Sequence, residues 1–459
     1  MKPPKTQRPR KQPVKPGHAQ SQLAQSKLIQ IEKPIYGGAF LARMEGKAVF
    51  VPLTLPGEQV RARITQSKRG YDTADPDEII AASPDRIAPA CPHFGPCGGC
   101  HYQHTNYETQ LAFKQTILRE TLQRGGVTAP AAIDVLAAEP WHYRNRIRLA
   151  FDADGNFGYR GRRSNAVIPV RECPIAAPLL VKTAKVITEI AHQFGPTLRP
   201  TEISLFCDAT ESALLASVFI AGTAQFSPAQ TKARFDEFAR AVHEQIPALK
   251  GAELVAEGQA AQLPRTLAQW GEPFLNYRAA GFDYRVDHGA FFQVNRFLVD
   301  ALVERVAVGE NGSLAWDLYA GVGLFARRLT ANFVRVVAVE SAPSATQALA
   351  ANLKVTTGTA VRVETLDFLR RNRQPANTDS TRPDLVVVDP PRTGLGPEIT
   401  ALLAQVAAPA LVYVSCDPAT LARDLRALTS SGYEIQAITL ADLFPQTFHL
   451  ETVVRMRRA

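Results

Sequence analysis

The sequence predicts a multidomain α/β protein with a small N-terminal β-barrel, a mixed central domain and a C-terminal domain built on a doubly wound parallel sheet. The chain has 459 residues, enough for two or three domains of roughly 100–200 residues each. Short apolar segments separated by turn residues occupy residues 26–85, whereas from about residue 282 apolar segments alternate with helix-like ones. With 46% apolar and 21% charged residues, the composition excludes a chain that is disordered throughout and a fibrous protein.

Residues 1–22 form a basic arm without the apolar residues that a core needs. Six lysines and arginines lie within residues 1–15, and the first acidic residue of the chain is Glu32. A Pro-rich, positively charged segment of this kind is expected to be disordered. It either contacts nucleic-acid phosphates or serves as a solubilising tail, and its composition does not separate the two.

The composition also indicates the cellular compartment of the protein. No apolar run reaches the roughly 18 residues of a membrane span, and no apolar segment follows the basic residues as in a secretory signal. Six cysteines are too few for a disulfide scaffold in a chain of this length. We therefore expect a cytoplasmic monomer without a membrane partner.

Residues 23–86 are expected to form the β-barrel. Val60, Ala62 and Ile64 alternate with basic or polar residues, a period of two that directs one face inward and a basic face outward. Five short strands in about 60 residues are typical of a small OB-like barrel. Barrels of this size often bind oligonucleotides, although they also act as packing modules.

Residues 87–280 are predicted as the central domain. Its cysteines form a close triplet followed 73 residues later by a fourth: Cys91, Cys97, Cys100 and Cys173. Thiolates are soft ligands for iron–sulfur clusters or for zinc, and the spacing alone does not separate the two. A helix is predicted from Tyr107 to about Arg124.

The central domain also carries an arginine-rich segment with interleaved aromatic residues. Its arginines are Arg144, Arg146, Arg148, Arg160, Arg162 and Arg163. Guanidinium groups beside aromatic faces suit stacking on unpaired bases and contacts to phosphates. As a group they indicate an RNA-facing surface, although each one could equally be an ordinary surface arginine.

Residues 281–459 are predicted as the doubly wound domain. Its apolar strand candidates are Leu314–Tyr319, Val334–Val339, Leu385–Val388 and Leu411–Val414. Each is followed by a helical or loop segment, which is the order of a parallel sheet whose ligands lie at the carboxyl ends of the strands.

A glycine turn follows the first of these strands. The turn runs from Asp317 to Gly323, and its glycines let a ligand approach the backbone. Glu340 ends the next strand, where a carboxylate can accept both ribose hydroxyls. The spacing of Gly321, Gly323 and Ala326 also fits a dinucleotide fingerprint, so an NAD-dependent oxidoreductase is an alternative. Asp317 could instead meet the ammonium group of S-adenosylmethionine.

Two further strand ends carry reactive side chains. Asp389 closes one strand and Cys416 the next, and Cys416 precedes a helix whose amides would lower the pKa of its thiol. Glu451, near the C-terminus, could act as a general base. A thiolate, a methyl donor and a base together suit methylation of uracil C5, because thiolate addition to C6 makes C5 nucleophilic. The target base must leave its stack to reach them.

These motifs match those of a known family. They are Cys91 to Cys100, Tyr143-Arg144-Asn145, Phe292 to Asn295, Asp317 to Gly321, Asp389 to Gly394, Ser415 to Pro418 and His449 to Glu451. On these motifs the chain resembles the RNA uracil-C5 methyltransferases, particularly the 23S ribosomal RNA branch with an N-terminal TRAM domain and an iron–sulfur cluster. The likeness covers nearly the whole chain after the basic arm.

The resemblance implies a role for each motif. Cys416 would be the nucleophile and Glu451 the general base. The residues implied to bind S-adenosylmethionine are Gln293, Tyr319, Glu340 and Asp389. The four cysteines would hold a [4Fe–4S] cluster, with zinc as the alternative, and the C-terminal domain would be a Rossmann-like methyltransferase domain. The helix near 107–124 is expected to pack on that domain, and the substrate would be a uridine of 23S rRNA, with tRNA as the alternative.

Overall fold

The computed structural model describes residues 26–195, 198–222, 227–258, 264–373 and 382–459. The chain forms two compact units, divided between Arg86 and Ile87. The basic arm predicted at residues 1–22 lies outside the described residues. None of the helices within the described ranges has the length and apolar character needed to cross a membrane.

Residues 26–86 contain a closed barrel of five strands, which confirms the predicted small barrel. The strands are β1 (Ser26–Pro34), β2 (Ala39–Met44), β3 (Lys47–Pro52), β4 (Gln59–Ser67) and β5 (Tyr71–Ala81). They are ordered β1-β2-β3-β5-β4, and in β4 the predicted residues Val60, Ala62 and Ile64 are buried. Successive side chains of a strand point to opposite faces. The apolar residues of β4 therefore face the barrel interior, and the residues between them face outward.

A buried carboxylate ties the end of this unit to the barrel. Glu58 has no exposed surface, and its oxygens accept hydrogen bonds from Arg86 Nε at 2.5 Å and from the amides of Leu55 at 2.7 Å and Ser83 at 3.2 Å. Burial raises the pKa of Glu58, but these donors outweigh it and the pKa is lowered overall. The carboxylate therefore stays ionised and holds Arg86.

The second unit begins with the cysteine segment, the helix α1 (Tyr107–Arg124) and the short strand β6 (Asp134–Leu136). The helix has the predicted bounds, because Asn106 caps it by accepting a hydrogen bond from the Thr109 amide at 2.8 Å. It packs on the last helix of the chain, and a Cβ added at Gly125 would lie 2.6 Å from the Ala422 Cβ. The helix therefore belongs with the C-terminal sheet, as expected from the resemblance.

A seven-stranded sheet follows. Its strands are β7 (Arg146–Phe151), β8 (Phe157–Arg160), β9 (Val167–Pro169), β10 (Pro200–Cys207), β11 (Leu214–Ile220), β12 (Leu249–Ala256) and β13 (Arg265–Gly271). They are ordered β13-β12-β11-β10-β7-β8-β9. Two helices, α2 (Pro178–Phe194) and α3 (Pro228–Gln245), share an apolar core with this sheet. Only the pair β11 and β12 is parallel within the sheet, joined by α3.

The remaining elements form the C-terminal sheet and its surroundings. They are β14 (Phe274–Ala279), β15 (Phe282–Asp287), α4 (Val299–Ala307), β16 (Gly312–Leu318), α5 (Leu324–Leu329), β17 (Phe333–Glu340), α6 (Pro343–Leu353), β18 (Gly358–Arg362), α7 (Thr365–Asn372), β19 (Leu385–Val388), α8 (Gly396–Val406), β20 (Ala410–Ser415), α9 (Pro418–Ser430), β21 (Tyr433–Ala441) and β22 (Glu451–Arg458). The eight-stranded sheet is ordered β18-β17-β16-β19-β20-β22-β21-β6.

This sheet is parallel from β18 to β20, as predicted, but its other half is not. The last strand, β22, runs antiparallel to both β20 and β21. All four residues of β19, Leu385–Val388, are fully buried, because a central parallel strand is covered on both faces. The division of the second unit at residue 280 stays a prediction.

Candidate active site

Four predicted site residues lie at the carboxyl ends of neighbouring parallel strands. Tyr319 follows β16, Glu340 ends β17, Asp389 follows β19 and Cys416 follows β20. In a parallel sheet these ends meet at one edge. The order β17-β16-β19-β20 therefore brings residues from distant parts of the sequence to the same edge.

Cys416 and Glu451 are brought together by the pairing of β20 with β22. The antiparallel register ends with the pair Ser415 and Thr452, so Cys416, directly after β20, comes close to Glu451, the first residue of β22. Glu451 is only 4% exposed, whereas Cys416 is half-buried. The candidate nucleophile is therefore accessible and the candidate base is sheltered.

The lowered thiol pKa expected for Cys416 is wrong. Its pKa is raised to about 11, first by burial and then by the charges of Glu451 and Asp389, while Arg392 lowers it. In the free protein Cys416 is therefore a protonated thiol at neutral pH. A proton acceptor has to take part before its sulfur can act as a nucleophile.

The helix after Cys416 cannot supply the expected stabilisation, because its amides already have a partner. The Asp417 side chain caps α9, and its Oδ1 accepts hydrogen bonds from the amides of Ala419 at 3.0 Å and Thr420 at 2.9 Å. An anionic cap satisfies the amides and offsets the positive end of the helix. Burial and, after it, the neighbouring carboxylates then raise the thiol pKa.

Three carboxyl groups share this edge of the sheet, with Asp317 and Glu451 buried and Asp389 partly buried. Burial raises the pKa of Asp389 to about 7, and burial with a contribution from Asp389 raises that of Asp317 to about 8. The pKa of Glu451 is raised well above its ordinary value by burial and by Asp389, against the effect of Arg392. Neighbouring buried carboxylates disfavour one another's ionisation. The site can thus hold protons at neutral pH and exchange them with reacting groups.

A small cleft of about 40 Å³ opens beside these groups. Its lining includes Gln293, Tyr319 and Asp389, three of the four residues implied to bind the donor, together with Gly321 of the glycine turn. The backbone at Gly321 has a φ of 56°, and a Cβ there would meet no atom of the described chain within 4 Å. The turn is therefore bare backbone facing open space, which lets a ligand approach closely.

Glu340, the fourth of these residues, contacts the turn itself. One of its carboxylate oxygens accepts a hydrogen bond from the Gly321 amide at 2.9 Å, and the other accepts from the amides of Ser341 and Ala342, each at 2.7 Å. These bonds fix the carboxylate beside the turn, and the oxygen bound to Gly321 keeps a lone pair for a ligand hydroxyl.

Asp317 does not line the cleft. Its side chain has no exposed surface, and its Oδ2 accepts a hydrogen bond from the Ala326 amide at 2.8 Å. This bond ties the end of β16 to the first turn of α5. We therefore assign Asp317 to holding the glycine turn, rather than to the ligand contact considered from the sequence.

The four predicted cysteines line a second cavity of about 290 Å³. Burial raises the pKa of Cys91, Cys97 and Cys100, in the last case to about 12, and the charge of Cys173 raises all three further. Cys173 is therefore a close neighbour of the triplet, although 73 residues separate it from Cys100. Across the described ranges, no three His, Cys, Asp or Glu side chains are close enough to hold a single metal ion.

Close backbone packing shapes the cysteine cavity. A Cβ added at Gly98 would lie 2.9 Å from the Arg160 carbonyl oxygen, so only glycine lets the cysteine segment pack on β8. The Gly99 amide donates a hydrogen bond to Cys97 Sγ at 3.4 Å, and the Tyr159 hydroxyl donates one to Cys173 Sγ at 3.5 Å. Donors of this kind stabilise thiolate sulfur.

Much of the arginine group proposed as an RNA face has internal partners instead. Arg146 donates to the Ala290 carbonyl oxygen at 2.6 Å and lies over the Phe206 ring, 4.2 Å from its centroid. Arg148 and Arg160 both form ion pairs with Glu202. Local pairing with a carboxylate was not visible from the arginine spacing, because Glu202 comes from another strand.

Arg392 and His449 complete the site, and the first of them was not singled out from the sequence. Arg392 lowers the pKa of both Cys416 and Glu451. Its Nη2 lies 3.4 Å from His449 Nδ1, and His449 also lines the cysteine cavity. The position of Arg392 directly after the Asp389-Pro-Pro motif was the signal that could have identified it.

Comparisons with known proteins agree with this arrangement. The profile of the tRNA (Uracil-5-)-methyltransferase family matches residues 269–459, and that of the TRAM domain matches residues 20–76. A 23S rRNA (uracil(1939)-C(5))-methyltransferase RlmD of Halomonas elongata is 31% identical over 97% of this chain and 92% of its own length. Its namesake from Chromohalobacter salexigens is 33% identical over 94% of this chain and 89% of its own length.

Solved structures include one with the same fold over nearly the whole chain. It is the tRNA (uracil-54, C5)-methyltransferase of Pyrococcus abyssi in complex with S-adenosyl-L-homocysteine, with a TM-score of 0.73 and 22% identity. The match covers 94% of this chain and 100% of that one. At this identity the likeness supports the fold alone.

Proposed function

The chain belongs to the family of RNA uracil-C5 methyltransferases, and we propose that it methylates a uridine of 23S rRNA through a covalent intermediate on Cys416. The observation that carries the proposal is the register of β20 and β22, in which Cys416 faces Glu451 beside the cleft with the glycine turn. A nucleophile, a base and a donor cleft at one sheet edge match the needs of uracil C5 alkylation.

Cys416 begins the proposed reaction. Its thiol proton passes to a neighbouring carboxylate, and its sulfur adds to C6 of the flipped uracil, which makes C5 electron-rich. We assign this acceptor role to Asp389, because its charge acts on the Cys416 thiol and its pKa of about 7 leaves part of it ionised at neutral pH. Arg392 stabilises the anions that form.

S-adenosylmethionine supplies the methyl group, which C5 takes from the donor sulfur. Gln293, Tyr319, Glu340 and Asp389 would bind it, and the open backbone at Gly321 fits such a ligand. Glu451, in its ionised form, then removes the C5 proton. The C6–sulfur bond breaks and the double bond re-forms. Cys416 leaves as a thiolate and takes back the proton held by Asp389, while Glu451 gives the C5 proton to solvent.

We propose that Cys91, Cys97, Cys100 and Cys173 hold a [4Fe–4S] cluster, with zinc as the alternative. Four thiols on one cavity wall, with an amide and a hydroxyl donating to sulfur, fit such a group. Bound there, it would supply a structural crosslink between the cysteine segment and the Cys173 loop.

The barrel would contact RNA through one hairpin tip. Its strand arginines Arg61 and Arg63 face Glu78 and Asp77 in ion pairs. The tip between β4 and β5 carries two exposed basic residues, and Lys68 Nζ lies 5.2 Å from the centroid of the Tyr71 ring. A positive charge beside an aromatic ring suits a phosphate and an unpaired base. The cytoplasmic location and the monomeric state stay predictions.

The test is mass-spectrometric mapping of 5-methyluridine in ribosomal and transfer RNA from cells with and without the gene. We expect one 23S rRNA site to lose its methyl group in the deletion strain and to regain it with the wild-type gene but not with Cys416→Ala. Loss of a tRNA methyl group instead would support the tRNA alternative. Unchanged 5-methyluridine in both RNAs would contradict the proposal.

A further inference from the structure

We propose that Gln110 and Lys114 of α1 are positioning residues for the general base. They hold residues 442–450, here called the base loop, which connects β21 to β22 and leads directly into Glu451. The proposal rests on the proposed function, since it assigns a role to residues that act through Glu451. It predicts that a helix more than 300 residues away in sequence tunes proton removal from C5.

The central contact is a reciprocal pair of glutamines. Gln110 Nε2 donates a hydrogen bond to Gln446 Oε1 at 2.9 Å, and Gln110 Oε1 accepts one from the backbone amide of Gln446 at 3.0 Å. Gln110 Nε2 also donates to the Thr105 carbonyl oxygen at 3.0 Å, which fixes the orientation of its amide. Both glutamine side chains are buried, so these bonds do not compete with water.

Lys114, one helical turn further on, anchors the start of the base loop. Its Nζ donates to Asp442 Oδ1 at 2.6 Å and to the Phe444 carbonyl oxygen at 3.0 Å. Both Lys114 and Asp442 are fully buried. Residues four apart lie on the same face of a helix, so Gln110 and Lys114 meet the loop together.

The base loop has few means of holding its own shape. It contains no helix or strand, and its described internal bonds are local ones such as that from the Thr447 hydroxyl to the Phe444 carbonyl oxygen at 2.8 Å. The other contacts come from outside it. The Tyr143 hydroxyl donates to the Pro445 carbonyl oxygen at 3.1 Å, and the Asn295 amide donates to the Leu443 carbonyl oxygen at 3.3 Å. The loop that leads into Glu451 is therefore held largely by residues outside it.

The same loop is tied to the cysteine segment itself. The amides of His101 and Tyr102 both donate to the Gln446 carbonyl oxygen, at 2.8 and 3.1 Å. His101 directly follows Cys100. The path from a cysteine of the second cavity to the base loop is thus a single peptide unit and one hydrogen bond. Gln446 is the point where the helix and the cysteine segment converge on the base.

The test compares Gln110→Met with Gln115→Met in the full-length protein. Both residues lie on α1, but Gln115 donates to the Ile133 carbonyl oxygen and does not contact the base loop. In Gln110→Met we expect kcat to fall up to about 10²-fold, the cost of a small misplacement of a catalytic group. The KM for the methyl donor stays unchanged. A methylated, covalent RNA–protein species accumulates, because attack and methyl transfer continue while C5 proton removal slows.

Accumulation of that species separates positioning from a general loss of structure. A merely structural role would lower covalent capture together with turnover, and this outcome would overturn the proposal, as would an equal effect of Gln115→Met or no effect of Gln110→Met. If Gln110→Met does not fold, Gln446→Met gives the same test from the other partner. With both variants folded, the double variant should be no worse than either single one.

The outcome is distinguishable from failure of the proposed function. Glu451→Ala should trap the same covalent species if Glu451 is the base. Trapping in Glu451→Ala without trapping in Gln110→Met would leave the base assignment intact and remove only the positioning role. Absence of trapping in Glu451→Ala would reject the base assignment itself.

Discussion

The active site and the cysteine cavity both contain thiols whose pKa burial raises, yet their neighbours differ. Cys416 lies among carboxyl groups and one arginine, with Glu451 and Asp389 raising its pKa and Arg392 lowering it. The cysteines of the cavity raise one another's pKa. A single thiol beside carboxyl groups and an arginine can give its proton to a carboxylate, and its sulfur can then act as a nucleophile. Several thiols together are stable as thiolates only around a cation or a metal cluster.

The two sites are also assembled differently. The active site is built by sheet strands, whose order and register fix where Asp389, Cys416 and Glu451 lie. The cysteine cavity is built by turns between residues 91 and 100 and by the loop that carries Cys173. The first site is therefore formed by the order and register of a sheet, whereas the second is formed by loops.

The largest expected effect separates the one reactive thiol from the others. Cys416→Ala should lower turnover by about 10⁴-fold or more, because removal of a nucleophile abolishes the covalent route. No covalent species should form with 5-fluorouridine RNA, as judged on a denaturing gel. Cys207→Ala, the same change at a buried thiol of neither site, is the control and should keep its activity. Turnover retained in Cys416→Ala would contradict the nucleophile assignment.

Glu451→Gln should affect the second half of the reaction rather than the first. We expect turnover to fall by about 10²–10⁴-fold, the usual contribution of a general base. Because Cys416 remains, the methylated covalent species should accumulate, opposite to the result for Cys416→Ala. Gel shift and mass spectrometry of the trapped RNA measure it. The assignment fails if free, methylated RNA is released at the normal rate.

Cys173→Ser tests whether the cysteine cavity can be changed without affecting the active site. The purified variant should lose most of its iron and inorganic sulfide, while its affinity for the methyl donor, measured by calorimetry, stays near that of the wild type. The reason is that Gln293, Tyr319 and Asp389 line a separate cleft. Zinc in place of iron in the wild-type protein would support the zinc alternative. Equal metal loss in Cys416→Ala would contradict the prediction that metal binding depends on the cavity cysteines and not on Cys416.

The smallest expected effect concerns the pH dependence of the Cys416 thiol. With a pKa of about 11, its alkylation rate in the free protein should rise about tenfold per pH unit through the neutral range. Arg392 lowers this pKa, so Arg392→Met should raise it and slow alkylation at any given pH below it. The measurement is peptide-level mass spectrometry after timed iodoacetamide labelling, with Arg423→Met as the control. A faster reaction in Arg392→Met would contradict the electrostatic picture.

Sequence reasoning predicted the elements whose signals are local. The strand Leu385–Val388 and the helix Tyr107–Arg124 have the predicted bounds, since an apolar run and a capped helix are read within a few residues. The strand-end positions of Asp389 and Cys416 followed from the alternation of strand and helix. The antiparallel direction of β22 relative to β20 was not predicted. Strand direction depends on the path of the segment that connects two strands, and the residues of the strand itself do not reveal that path.

Charge environments were the part that sequence reasoning predicted least well. The thiol pKa of Cys416 was expected to be low from the helix after it, but Asp417 caps that helix and Glu451 adds a negative charge. Arg148 and Arg160 both pair with Glu202 but keep more than half of their side-chain surface exposed, so their place on an RNA face stays a prediction. The burial and the Glu451 charge that raise the Cys416 pKa lie outside the local pattern that prompted the expectation.

The amino-acid sequence by itself determined the kinds of chemistry available: one thiol at a strand end, a carboxylate before the last strand, a glycine turn and four further cysteines. Tertiary structure alone decided which of these groups share an environment. It set the raised pKa of Cys416, and it placed Gln110 against Gln446 across 336 residues of sequence. The physical reason is that residue type and local period act over a few residues, whereas burial and electrostatic interactions depend on distance in space.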